Sequence, residues 1–274
     1  MVGALASFMV MAVAGRELSA EASVAQILVY RSAVCLVIVA GFLAVQGGAV
    51  LATGRWRAHV GRNVVHFAGQ YGWFLGLSLI PLAEVFAIEF TTPIWTAILA
   101  TLFLGERLTR RRWLAVGLGF LGILVILRPG LAAIHPAALA VLGAAFAYAV
   151  TYVMTRDLGR TERPLTIVFY MNLIQLPLGL ALAVWDWAWL SPGLWPWALA
   201  VGVGGFSSHY CLSRALKLAE AAIVAPLDYI RLPLIAVVGY LVYAEPVDPI
   251  VGLGAAIIIG ANLMNLKRAR PAPA

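Results

Sequence analysis

Four ionisable side chains lie inside long apolar runs of the sequence: Arg31, Glu89, Asp228 and Arg231. A charge at the centre of a membrane helix costs about 2.5–3.5 kcal/mol on the insertion scale, so such a residue faces protein or water and usually has a partner. Two positive and two negative groups cancel, and Asp228 and Arg231, three apart, can share a helix face. This balance suits a zwitterionic or neutral small molecule. Arg31 and Arg231 would meet it, while Glu89 and Asp228 would take up protons or form ion pairs. Around these charges the apolar runs carry polar and aromatic residues near their middles. Gln70, Asn172 and Gln175 can hydrogen-bond a solute, and Trp73, Trp95, Tyr148 and Tyr152 can wall it. Aromatic walls with a few convergent polar groups suit a small amphipathic ligand.

Two other motifs are weaker than they look. Gly204-Gly205-Phe206-Ser207-Ser208-His209 invites an intramembrane hydrolase using Ser207, Ser208 or His209. Adjacent residues on a helix point about 100° apart, and a nucleophile needs its base within hydrogen-bond reach. Gly117-x-Gly119-x-x-Gly122 matches a dinucleotide fingerprint as text, but that fingerprint needs a strand before it. Here it lies behind Arg110-Arg111-Arg112 in an apolar run, where small residues let helices approach closely. No enzyme chemistry, cofactor or metal is expected.

The elements that must position these groups are membrane helices. Of 274 residues, 63% are hydrophobic and 11% charged. Soluble domains average roughly 45–50% apolar and about a quarter charged. Ten spans can be read, at 2–18, 25–46, 63–80, 84–104, 113–128, 136–155, 166–185, 195–213, 222–243 and 249–266. Breaks at Ile80-Pro81, Arg163-Pro164 and Ser191-Pro192-Gly193 separate several of them. The net charge of +7 is topological, not a nucleic-acid signal. With both termini cytoplasmic, 15 of the 19 Lys and Arg residues fall in inner loops, and only Arg16 and Arg128 fall outside. Trp185, Trp187, Trp189, Trp195 and Trp197 fit an aromatic belt at the outer surface. Cys35 and Cys211 are distant and apolar in context, so they are read as packing residues.

A repeat runs through the chain. At a spacing of 139, Ala83 matches Ala222, Val85 matches Val224, Glu89 matches Asp228, and Glu106 matches Glu245. Two five-helix halves follow, at 1–130 and 131–274. Five is odd, so the second half enters the membrane from the opposite side, an arrangement that recurs in secondary transporters.

The paired Glu residues closing the fourth and ninth spans (Leu104-Gly105-Glu106 and Tyr243-Ala244-Glu245) are each followed by a glycine-rich helix. With Tyr30-Arg31-Ser32 early in the second span, they make the chain resemble the drug/metabolite transporter superfamily, EamA type. The resemblance implies alternating-access transport of a metabolite. The expected fold is therefore an all-α membrane protein of ten transmembrane helices, arranged as two inverted five-helix repeats. The expected function is a secondary transporter of a small organic metabolite, amino-acid or nucleoside-like, in a bacterial inner membrane. Its expected partners are the solute and the lipid bilayer, without nucleic acid, as a monomer or homodimer. An intramembrane hydrolase and a non-transporting structural partner are the competing readings.

Overall fold

A computed structural model describes residues 2–46, 51–104, 110–128, 134–218 and 231–266. Among these, the secondary structure is helical throughout. The helices are α1 (Val2–Leu18), α2 (Val24–Gln46), α3 (Trp56–Leu79), α4 (Leu82–Glu89), α5 (Thr92–Leu104), α6 (Arg110–Leu127), α7 (Pro136–Leu158), α8 (Pro164–Ala183), α9 (Trp195–Leu218), α10 (Arg231–Tyr243) and α11 (Pro249–Leu266).

Local chemistry sets several of the boundaries. Pro136 and Pro164 open α7 and α8, where a missing N–H costs nothing. His135 caps α7 by accepting from the Ala137 amide at 3.2 Å. Asp248 caps α11 by accepting from the Ile250 amide at 2.8 Å. The span read as 84–104 is two helices, because Pro93 cannot donate to the Glu89 carbonyl. The Thr92 hydroxyl donates to that carbonyl instead, at 2.7 Å. Glu89 thus ends α4 at a break in mid-span. Pro177, in contrast, sits inside an uninterrupted α8.

The outside of the molecule is apolar and the inside is partly polar. Val37, Val45 and Leu241 are more than two-thirds exposed, while Arg31, Asn172 and Gln175 are fully buried. Water would reverse that distribution; hydrocarbon favours it. The chain is a multi-pass membrane protein. Among the described residues, α2, α7 and α8 are long and apolar enough to span on their own, and Trp113–Leu127, Arg231–Tyr243 and Pro249–Ala261 are shorter apolar stretches. Helix α3 begins at Trp56, seven residues before the span expected at 63. This takes Arg62, counted above as an inner-loop charge, into a buried turn of helix.

Packing follows small residues. α3 lies against α7, α1 against α9, α6 against α11, and α2 against both α8 and α9. A Cβ added at Gly72 would meet the Ala140 carbonyl oxygen at 2.7 Å, so only glycine permits the α3–α7 approach. At the α6–α11 crossing the dependence is reciprocal. A Cβ on Gly122 would lie 2.9 Å from the Gly254 carbonyl, and one on Gly254 would lie 2.8 Å from the Gly122 carbonyl. The glycines of the apparent dinucleotide motif are therefore packing residues where they meet a neighbour. Helices α3 and α9 keep the spacing of the sequence repeat, starting 139 residues apart at 56 and 195.

Candidate functional site

Asn63, His66, Gln70 and Trp73 recur at i, i+3, i+7 and i+10, which places them on one face of α3. All four are buried. The adjacent face of α3 carries Gly69, Gly72 and Gly76 and is consumed by α7. The polar stripe therefore turns towards α2, α8 and α9.

A continuous polar network runs along that stripe. Arg31 on α2 donates from Nη2 to Gln175 Oε1 on α8 at 2.5 Å, and to the Ser32 hydroxyl at 3.3 Å. Gln175 Nε2 donates to the Asn63 carbonyl at 3.2 Å and meets His66 Nδ1 at 2.9 Å. The His66 ring sits edge-on to His209 of α9, with centroids 4.9 Å apart, and packs near Tyr148 of α7 at 5.7 Å. His209 Nε2 meets Gln70 Nε2 at 3.5 Å. At the other end Arg62 donates from Nε to the Thr155 hydroxyl at 2.8 Å, and also to the Asn63 side-chain oxygen. Five helices, α2, α3, α7, α8 and α9, thus converge on one buried polar centre.

A second cluster lies one helical turn along α3. Trp73 Nε1 donates to Glu89 Oε2 at 2.8 Å, and Arg231 Nη2 pairs with Glu89 Oε1 at 3.2 Å. The Arg231 guanidinium lies 4.8 Å from the Phe8 ring centroid and 5.2 Å from that of Phe86. These rings stabilise a buried cation by cation–π attraction. Phe8 also stands edge-on to His209 at 5.5 Å, so α1 ties the two clusters together.

Of the residues singled out in the sequence, Gln70, Gln175, Arg31 and Tyr148 meet in the first cluster, and Trp73, Glu89 and Arg231 in the second. Asn172 is buried, and its amide nitrogen donates to the Val168 carbonyl of its own helix at 2.8 Å. Tyr152 is half-buried on the same helix as Tyr148. Trp95 stands apart: it bonds the Thr91 hydroxyl at 3.2 Å and packs edge-on against Phe120 and the exposed Phe146. Asp228 lies outside the described residues. His66, His209, Asn63 and Arg62 join the network without having been placed in the site. The i, i+3, i+7 recurrence of Asn63, His66 and Gln70 was the available signal. The hydrolase geometry is absent among the described residues, because Ser207 and Ser208 donate to the Val203 and Gly205 carbonyls and neither meets His209.

Comparison with known proteins agrees with this architecture. The model of the EamA-like transporter family matches residues 1–128 and 135–266. A riboflavin transporter of Brucella anthropi is 31% identical over 243 residues, covering 86% of this chain and 85% of that one. An S-adenosylmethionine uptake transporter of Rickettsia prowazekii is 29% identical, covering 81% and 76% of the two chains. A pseudopaline exporter of Pseudomonas aeruginosa is 28% identical, covering 93% and 90%. A solved crystal structure superposes with a TM-score of 0.72, over 96% of this chain and 94% of the other. At 16% identity that likeness concerns the fold alone.

Proposed function

The chain belongs to the EamA-like transporter family, and from that premise we propose that it is a secondary carrier working by alternating access. It is a transporter of small metabolites, not an enzyme. The solute we infer is amino-acid or nucleoside-like, moved across a bacterial inner membrane with both termini of the protein cytoplasmic.

The observation that carries this reading is the buried polar centre where Arg31, His66, Gln70, Gln175 and His209 meet. Interhelical hydrogen bonds in membranes are worth about 0.6 kcal/mol on average, too little to explain five buried polar groups as glue. Groups of this kind, near the middles of four helices, serve a solute better than they serve stability. Aromatic residues stand beside them, as a small amphipathic ligand requires. We assign solute contact to Gln70, Gln175, Arg31, Trp73 and Tyr148 in particular, with Tyr152 and Asn172 on the same helices. Arg231 and Glu89 form the ion pair beside this contact set. Both Glu89 oxygens are engaged, one by Trp73 and one by Arg231.

Two halves, 1–130 and 131–274, related by inversion, supply the two alternative openings. The main packing pattern supports this. Exchanging α1 with α7, α2 with α8 and α3 with α9 turns the α3–α7 contact into α9–α1 and returns α2–α8 to itself.

Reconstitution into liposomes tests the reading. Purified chain loaded with a metabolite panel is expected to give saturable counterflow of at least one member. The flow should be lost when Gln175 is replaced by Ala. Flux that neither saturates nor exchanges would indicate a channel or a structural partner and end the carrier assignment.

A further inference from the structure

The two buried arginines of the interior differ in one respect that bears on the solute. Arg231 is matched by Glu89 at 3.2 Å. Arg31, fully buried, has no carboxylate within ion-pair distance among the described residues. Its Nη2 is used by Gln175 and Ser32, while its Nε and Nη1 have no hydrogen-bond partner. The Asn63 amide nitrogen, beside Gln175 in the same network, is also an unmatched donor. Arg62 adds a second buried cation bonded to neutral oxygens. The first cluster is therefore cationic and donor-rich.

Guanidinium donors shut away from water are normally met by an acceptor, and a lone buried charge is strongly disfavoured. The free N–H groups of Arg31 are on Nε and Nη1, which face different sides of the planar guanidinium because Nη1 lies cis to Cδ. Each can donate to an oxygen of a carboxylate or phosphoryl group in a charge-assisted hydrogen bond. Gly205 of α9 makes room for the arm: a Cβ there would stand 2.9 Å from Arg31 Cγ and 3.2 Å from Cδ. The hydroxyl of neighbouring Tyr30 is a further unmatched group.

We propose that the unmatched Nε and Nη1 donors of Arg31 dock an oxyanion, carboxylate or phosphoryl, on the transported solute. This rests on the carrier reading above and narrows it: the solute is anionic at one end and aromatic or apolar at the other. The charge balance that suggested a net-neutral solute fails at this end of the site, because Glu89 is engaged by Arg231.

The test compares matched probes that differ in one group. 3-Phenylpropionate is set against 3-phenylpropanamide, and adenosine monophosphate against adenosine. Their binding to the full-length protein in nanodiscs is followed by thermal stabilisation, and their exchange by counterflow in liposomes. At least one anion is expected to bind about tenfold or more tighter than its neutral mate, as charge-assisted hydrogen bonding to a buried guanidinium predicts. The carboxylate and phosphoryl arms identify which oxyanion fits. Arg31→Gln should abolish the preference, and Arg31→Lys should keep part of it. If Arg31→Gln does not fold, Gly205→Ala, which displaces the arm, should shrink the preference instead. No preference in the wild type, or a preference that survives Arg31→Gln, overturns the assignment. Neutral probes that exchange without any anion preference would leave the carrier intact and remove only the anion site. Anion binding without exchange would do the reverse.

Discussion

Gln70 and His209 meet at 3.5 Å, and each is the fifteenth residue of its helix. They are separated by 139 residues, the spacing of the repeat that matches Ala83 with Ala222 and Val85 with Val224. Residues that are equivalent in two repeats and touch each other lie on the axis relating the repeats. On the inverted-repeat reading, the pair therefore marks where the two halves cross and where a solute would be handed from one opening to the other.

The pair should matter more to transport than to folding. Gln70→Ala and His209→Ala are each expected to cost no more than about 1 kcal/mol of stability, in keeping with interhelical hydrogen bonds in lipid. Counterflow should fall by about tenfold or more in each, as expected for functional intramembrane polar groups. Because both act at one contact, the double variant should be little worse than either single one. Unfolding midpoints in detergent and initial exchange rates measure the two effects separately. Equal losses in both would make the contact structural.

Glu89 answers to a different accounting. It is 8% exposed and holds both Trp73 and Arg231. Replacing it by Gln removes the carboxylate that pairs with Arg231 at 3.2 Å. Removing one partner of a buried ion pair typically costs about 3–5 kcal/mol. Glu89→Gln is therefore expected to lower the unfolding midpoint sharply. Glu89→Gln combined with Arg231→Met should restore much of the loss, because the ion pair is then removed as a whole. If the double variant is no more stable than Glu89→Gln alone, the pair is not what holds α4 against α10.

How much of this was readable from residues alone divides along a physical line. Helix number and type were legible because the bilayer imposes a run length and a loop-charge bias on any chain that crosses it. The break that Pro93 makes after Glu89 has an equally local cause, the missing N–H of the proline itself. The facing of each helix was less legible. Trp95 and Trp73 look alike in sequence, yet Trp73 turns into the centre while Trp95 packs beside exposed Phe146. In lipid an apolar ring is at home on either side, so only packing decides. On α3 the glycines at 69, 72 and 76 decide by committing one face to α7. Arg62 was taken for a loop anchor because it borders an apolar run. Thr155 and Asn63 draw it inward instead.

Asp248 predicts a pH effect at the membrane edge. Its carboxylate is held below the ordinary carboxylate range, first by the Ile250 amide and then by its pairing with Arg128. A depressed folded-state pKa stabilises the fold above the unfolded value, about 3.9, and that contribution is lost as pH falls through the folded value. Asn can still cap α11 but cannot pair with Arg128 as an anion. Asp248→Asn should therefore be less stable than the wild type at neutral pH. The gap should close as the pH drops below about 4, where the native carboxyl protonates as well. Thermal midpoints of both chains from pH 7 to pH 3 follow the closure. A gap that stays constant across the range would show that the carboxylate charge contributes nothing.

The last expectation concerns opening. At one end of the molecule Arg16 donates to the Leu77 and Ile80 carbonyls at the close of α3, and pairs with Glu245 at 3.1 Å. Glu245 Oε2 in turn accepts from the Leu82 amide that starts α4, at 2.8 Å. Glu17 accepts from the Tyr243 hydroxyl at 2.8 Å. The ends of α1, α3 and α10 and the start of α4 are thus fastened through four side chains, Arg16, Glu17, Tyr243 and Glu245. Arg16 and Glu245 are partly buried, so their attraction is screened less than that of a surface pair. An alternating-access carrier must release such a fastening in one of its two states. Glu245→Gln is expected to favour that state, and so is Gly239→Ala, whose Cβ would fall 2.6 Å from Glu245 Oε2. With Cys35 and Cys211 replaced by Ala, a cysteine at Ser78 reports the change through its rate of reaction with an impermeant maleimide. Both variants should label several-fold faster than the parent, a shift that weakening by only about 1 kcal/mol would produce. Unchanged labelling in both would mean that this end stays closed by other contacts.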